Sequence, residues 1–127
     1  MANAQKFFIC KKCGNFAGMI VSSGAPMICC GEKMTEVVPN TTEAAGEKHV
    51  PVAKLEGDIL TVNVGSVDHP MTEEHLIEWV YVQTENGGQR RKLSAGAKPV
   101  AQFALNGDKP LAVFAYCNLH GLWKADL

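Results

Sequence analysis

Nine side chains in this sequence offer thiol or imidazole ligands for a metal, five cysteines and four histidines. Cys117 and His120 stand three residues apart in Tyr116-Cys117-Asn118-Leu119-His120-Gly121-Leu122-Trp123, a spacing at which a turn can aim both side chains at one ion. A lone cysteine is weak evidence, because buried cysteines commonly serve as small apolar side chains. The other four cysteines form two pairs near the start, Cys10-Lys11-Lys12-Cys13-Gly14 and Cys29-Cys30-Gly31. Two thiolate pairs suit a tetrahedral all-sulfur site for zinc or iron. Gly14 permits the positive φ that frees amide N–H groups to point at sulfur. Adjacent Cys29 and Cys30 are unusual, since neighbouring side chains diverge and sharing one ion opens the S–metal–S angle. A structural zinc knuckle and a strained vicinal disulfide are the competing readings of this set.

The histidines are His49, His69, His75 and His120. Singly, each is more commonly a surface or hydrogen-bonded residue than a ligand. Jointly, they all fall in loops or at strand ends, where sites are built on a β-scaffold, and the one remaining cysteine falls with them. A shared site of four imidazole nitrogens and one thiolate sulfur accounts for that pattern.

These groups need scaffolds. Phe7-Phe8-Ile9 reads as a short strand leading into the first cysteine pair. About forty residues bury little core, so an ion bound there must itself contribute folding free energy. Met34 to Gly46 is polar and without period, which places a boundary near Pro39. Residues 1–38 are then a metal-binding domain, 39–46 a linker, and 39–127 a second domain. Ile59 to Val64 alternates, with Leu60, Val62 and Val64 on one face and Ile59, Thr61 and Asn63 on the other. Strands are also expected at Val50–Leu55, Ile77–Gln83, Gln89–Leu93, Val100–Leu105, Leu111–Tyr116 and Leu122–Ala125, with a hairpin turn at Asn86-Gly87-Gly88. About seven short strands at this spacing read as an all-β antiparallel sandwich. No stretch shows a helical period.

Composition narrows the function. The 127 residues suit a single domain with a small appended module, and a formal charge of -1 argues against a nucleic-acid or membrane-surface role. No apolar run approaches the ~18 residues of a membrane span. Met1-Ala2-Asn3-Ala4-Gln5-Lys6 has no export pattern, so the expected compartment is the cytoplasm. There thiols stay reduced, and clustered cysteines are better read as ligands than as disulfides.

Over essentially its whole length the chain resembles desulfoferrodoxin, the two-iron form of superoxide reductase. The resemblance is carried by Cys10-x-x-Cys13-Gly14 with Cys29-Cys30-Gly31, by Glu47-Lys48-His49-Val50-Pro51, by Gly65-Ser66-Val67-x-His69-Pro70-Met71 with His75-x-Ile77-Glu78-Trp79, and by Tyr116-Cys117-Asn118-Leu119-His120-Gly121. It implies a desulforedoxin-like N-terminal domain with Fe(Cys)4, an immunoglobulin-like domain with Fe(His)4Cys, and a homodimer. Cys10, Cys13, Cys29 and Cys30 would hold the first iron. His49, His69, His75 and His120 would be equatorial on the second, with Cys117 axial and the sixth position open. Glu47 and Lys48 match the acid and base beside that opening. The implied activity is one-electron reduction of superoxide to hydrogen peroxide, with a rubredoxin-like carrier as donor.

The chemistry is consistent with that implication. Ferrous iron with four neutral imidazoles and one thiolate keeps a net positive charge that attracts an anion, whereas four thiolates leave a net negative charge that repels one. Lys48 would add steering and organise a proton-donating water. Glu47 and Lys48 are adjacent and cannot both point inward from an extended chain, so an irregular loop, or action in different states, is expected. Trp79, Tyr81, Phe103, Phe114 and Trp123 read as core packing. The alternatives are a non-catalytic iron electron-transfer protein and a β-sandwich interaction module with a zinc knuckle.

Overall fold

A computed structural model of the chain describes residues 4–127. The N-terminal segment read for export signals therefore lies partly outside the described residues. The chain divides into two compact units, Met1–Val38 and Pro39–Leu127.

The first unit is built of short strands: β1 (Phe7–Ile9), β2 (Phe16–Gly18), β3 (Ile28–Cys29), β4 (Glu32–Lys33) and β5 (Thr35–Glu36). β1 lies between β2 and β5 in one antiparallel sheet, and β3 and β4 form a separate ribbon. Phe7 and Cys10 are buried, while Ile20, Val21 and Ile28 are exposed. So little buried apolar surface agrees with a unit that relies on its cysteines.

The second unit opens with a short helix, α1 (Gly46–His49), and continues through β6 (Pro51–Glu56), β7 (Ile59–Val64), β8 (Ile77–Thr84), β9 (Gly87–Lys92), β10 (Val100–Ala104), β11 (Pro110–Cys117) and β12 (Gly121–Asp126). The strands form two antiparallel sheets, β10-β7-β6 and β12-β11-β8-β9. The chain crosses between sheets at β7/β8, β9/β10 and β10/β11, the alternation expected of a sandwich. The fold is all-β, as the sequence implies.

Alternation decides the core. Leu60, Val62 and Val64 of β7 meet Val80 and Val82 of β8, Phe103 of β10, and Val113, Ala115 and Cys117 of β11. Cys117 is thus the end of a core strand, and its side chain has no exposed surface.

Two local expectations need correction. The hairpin turn is Glu85-Asn86, since Thr84 pairs with Gly87; Gly87 and Gly88 already belong to β9. Gly88 serves packing, because a Cβ there would overlap the Tyr81 hydroxyl. The second correction is α1, a single turn of four residues and too short to leave a periodic signal. Nor does the linker run free: the Asn40 side chain accepts from the Lys124 N–H at 2.9 Å and donates to the Lys124 carbonyl at 3.1 Å, docking the segment on β12.

Candidate metal centres

In the first unit, β1 ends as Cys10 begins a turn closed by Gly14 N–H to the Cys10 carbonyl at 2.8 Å. The amides of Cys13 and Lys12 donate to the Cys10 sulfur and lower its pKa to about 6. Cys29 ends β3, and the next two residues, Cys30 (φ 54) and Gly31 (φ 75), are both left-handed. They form the two-residue turn into β4, where Cys29 pairs with Glu32. The left-handed step at Cys30 reconciles the adjacent thiols, because the two cysteines do not share one extended strand.

The four sulfurs lie within 4.8 Å of one another, and Cys13 and Cys29 are 3.6 Å apart. A tetrahedron with metal–sulfur bonds of about 2.3 Å has an edge of about 3.8 Å. All five cysteines are free, so the vicinal disulfide is not formed. Crowding by Cys13 and Cys10 pushes Cys30 up to about 12. The set therefore resists full ionisation until a cation neutralises it, and the donors fit a thiophilic metal. The Asn15 amide donates to the Cys29 sulfur at 3.5 Å.

In the second unit, five residues from three segments converge. His49 ends α1, and its Nδ1–H donates to the Ala45 carbonyl one turn back at 2.7 Å, so Nε2 faces inward. His69, after β7, donates from Nδ1 to the Pro70 carbonyl at 2.7 Å, which also leaves Nε2 inward. His75 lies in the same loop just before β8, and its buried Nε2 has no hydrogen-bond partner. Cys117 ends β11, and His120 sits in the turn to β12.

The rings are arranged as a closed circuit. Centroids of neighbours are 4.6 Å apart for His49/His69, 4.6 Å for His69/His75, 5.1 Å for His75/His120 and 4.9 Å for His49/His120, with planes near perpendicular. The diagonal pair His49/His75 is at 6.4 Å. His49 Nε2 is 3.1 Å from both His69 Nε2 and His120 Nδ1. A square with that edge has a centre about 2.2 Å from each corner, close to ordinary metal–imidazole bonds. The ligand atoms of His49, His69, His75 and Cys117 all lie within 4.8 Å of one another. His120 stands outside that mutual set but joins it at 3.1 Å from His49 and 3.8 Å from the Cys117 sulfur.

Protonation states favour a cation at the centre. Burial lowers the pKa of His49 and His75, and takes that of His69 to about 4. The imidazoles are therefore neutral near pH 7, the ligating form. With Nδ1 of His49 and His69 each donating to a carbonyl, their inward nitrogens oppose lone pair to lone pair. Such a contact is repulsive unless a cation lies between. Burial raises the Cys117 pKa, opposed by amide donors from Leu119 and His120 that prepare the sulfur for negative charge.

A family profile described as desulfoferrodoxin matches residues 41–126. The chain belongs to the desulfoferrodoxin family. It is similar to the desulfoferrodoxin of Syntrophotalea carbinolica, with 42% identity over 99% of each chain. It is also 42% identical to that of Clostridium acetobutylicum over 100% of both. A solved superoxide reductase from Treponema pallidum superposes with a TM-score of 0.82 at 37% identity, covering 98% of this chain and 100% of the other. The two donor groups are those of a two-iron desulfoferrodoxin, one of cysteines alone and one of histidine and cysteine.

Glu47 and Lys48 lie on the helical turn of α1, both exposed. A helix separates successive side chains by about 100°, so neither extended geometry nor a shared inward direction is imposed on them. Lys48 is near enough to lower the pKa of both His49 and His75 through its charge. The turn is set by its carbonyls: Val67 N–H donates to the Glu47 carbonyl at 2.8 Å and Ser66 Oγ at 3.2 Å. A Cβ on Gly65 would lie 2.7 Å from the Glu47 carbonyl oxygen and 2.8 Å from that of Val50.

Trp123, read from sequence as packing alone, does more. Its ring is 4.9 Å from His49, and its Nε1–H donates to the His120 carbonyl at 3.1 Å. Its position three residues after His120 is the signal that could have revealed this.

Proposed function

We propose that this chain is a superoxide reductase whose reactive iron would be held by His49, His69, His75, His120 and Cys117, with a second iron on Cys10, Cys13, Cys29 and Cys30. The observation carrying the reading is the circuit of four imidazoles, in which the inward lone pairs of His49 and His69 oppose one another at 3.1 Å, beside a buried thiol. When bound there, ferrous iron supplies the single electron that, with two protons, takes superoxide to hydrogen peroxide.

The chain's own residues do the rest. Neutral imidazoles leave the centre net positive, which draws in an anion. Exposed Lys48 extends that attraction to the mouth and raises the encounter rate. Its Nζ also holds protons where an ordered water can relay them to the departing product. Glu47, on the same turn, covers the opening in a different state of the cycle. The Leu119 and His120 amides favour the Cys117 sulfur as a thiolate, the form that ligates metal. A rubredoxin-like carrier supplies the electron, and the protein acts as a cytoplasmic homodimer. Among the described residues no helix is long and apolar enough to cross a membrane.

Product analysis tests the reading. Reduced protein mixed with superoxide should yield one hydrogen peroxide per superoxide and no dioxygen. Azide or cyanide should perturb the spectrum of the ferric histidine-containing centre. A protein that only carries electrons would show neither.

A further inference from the structure

We propose that Asn118 is a positioning residue for the second centre: its side-chain amide clasps the segment on both sides of His75 and sets the direction of that ring. This rests on the reading of His75 as a ligand.

Asn118 lies between Cys117 and His120 in the turn after β11. Its Oδ1 accepts from the Leu76 N–H at 3.0 Å, and its Nδ2 donates to the Glu74 carbonyl at 2.9 Å. The Asn118 N–H donates to the Leu76 carbonyl at 3.2 Å. One side chain thus grips the backbone before and after His75, and the main chain adds a third bond. Only a carboxamide offers a donor and an acceptor side by side in this way; a carboxylate keeps the acceptor and loses the donor.

His75 needs such support more than His49 and His69 do. The rings of His49 and His69 are each aimed by an Nδ1–H bond to a carbonyl. His75 has no ring–carbonyl bond of that kind, so backbone placement must aim it. Thr72 contributes by accepting from the His75 N–H at 3.1 Å. Asn118 contributes the link that matters across the site, because it ties the His75 loop to the turn carrying two other converging residues. Groups that orient a ligand from behind typically change metal affinity about 10- to 100-fold when removed.

Cobalt(II) titration of the metal-free protein tests this, because the all-cysteine centre in the same chain serves as an internal control. Asn118→Ala should weaken cobalt at the histidine-containing centre about 10- to 100-fold while leaving the all-cysteine centre unchanged. Hydrogen exchange of the Leu76 amide should quicken in Asn118→Ala. Asn118→Asp, which retains the acceptor, should keep that protection and show an intermediate affinity. His75→Ala separates the two claims. If His75→Ala loses cobalt while Asn118→Ala binds as the unaltered protein does, the positioning role is overturned. If His75→Ala itself binds normally, the ligand reading fails instead. Equal weakening at both centres in Asn118→Ala would mark general instability and would also overturn the proposal.

Discussion

His49 and Cys117 illustrate how much of the site depends on single atoms. Each supplies one donor atom to the cluster. His49→Ala or Cys117→Ser should therefore abolish the absorption band of the histidine-containing centre, while that of the all-cysteine centre persists in the same sample. Visible spectra with iron analysis check this; retention of both bands would remove these residues from the ligand set. Lys48 differs, since it is exposed and its proposed role is through charge. Lys48→Ile should keep both irons, slow the reaction with superoxide and flatten its dependence on ionic strength. A salt slope equal to that of the unaltered protein would rule out steering.

At the scale of elements, the site depends on loops fixed by backbone contacts, with α1 as the clearest case. Gly65 leaves room for the carbonyls of Glu47 and Val50, which a methyl group would approach within 2.8 Å. Gly65→Ala should cost about 1–3 kcal/mol by overpacking and lower iron occupancy at the histidine-containing centre alone. Thermal unfolding and metal analysis measure the two effects. The far end of the sandwich offers a pH test. Hydrogen bonds from the Thr84 side chain, then from Lys109 and Asn86, hold the Asp108 pKa below 3.8. A carboxyl depressed on folding stabilises above its unfolded pKa and loses that contribution as pH falls through the folded value. The melting-temperature gap between the unaltered protein and Asp108→Ala should thus be full near neutrality and narrow below pH 3.8.

For the whole molecule, what could be read from sequence follows how locally each feature is encoded. The alternation of Ile59–Val64 is complete within one strand, and the exposure of its residues follows it, with Leu60, Val62 and Val64 buried. The cysteine pairs are legible for the same reason, since their spacing lies within two turns. The relation of Cys29 to Cys30 was not, because side-chain types carry no sign of a left-handed φ at a cysteine. The α1 turn escaped because one helical turn has no period. Trp123 and Asn118 were visible as residues but not as supports, since their partners are set by tertiary contacts. The histidines became legible only as a group, through their common absence from strands.

Superoxide should be reduced at the histidine-containing centre. Pulse radiolysis of the fully reduced protein tests it most directly, because the bands of the two centres can be followed separately in one chain. The band of the histidine-containing centre should change first, at a rate proportional to superoxide concentration, while the all-cysteine centre follows later or not at all. Oxidation of the all-cysteine centre first, or no reaction beyond that of buffer, would contradict it.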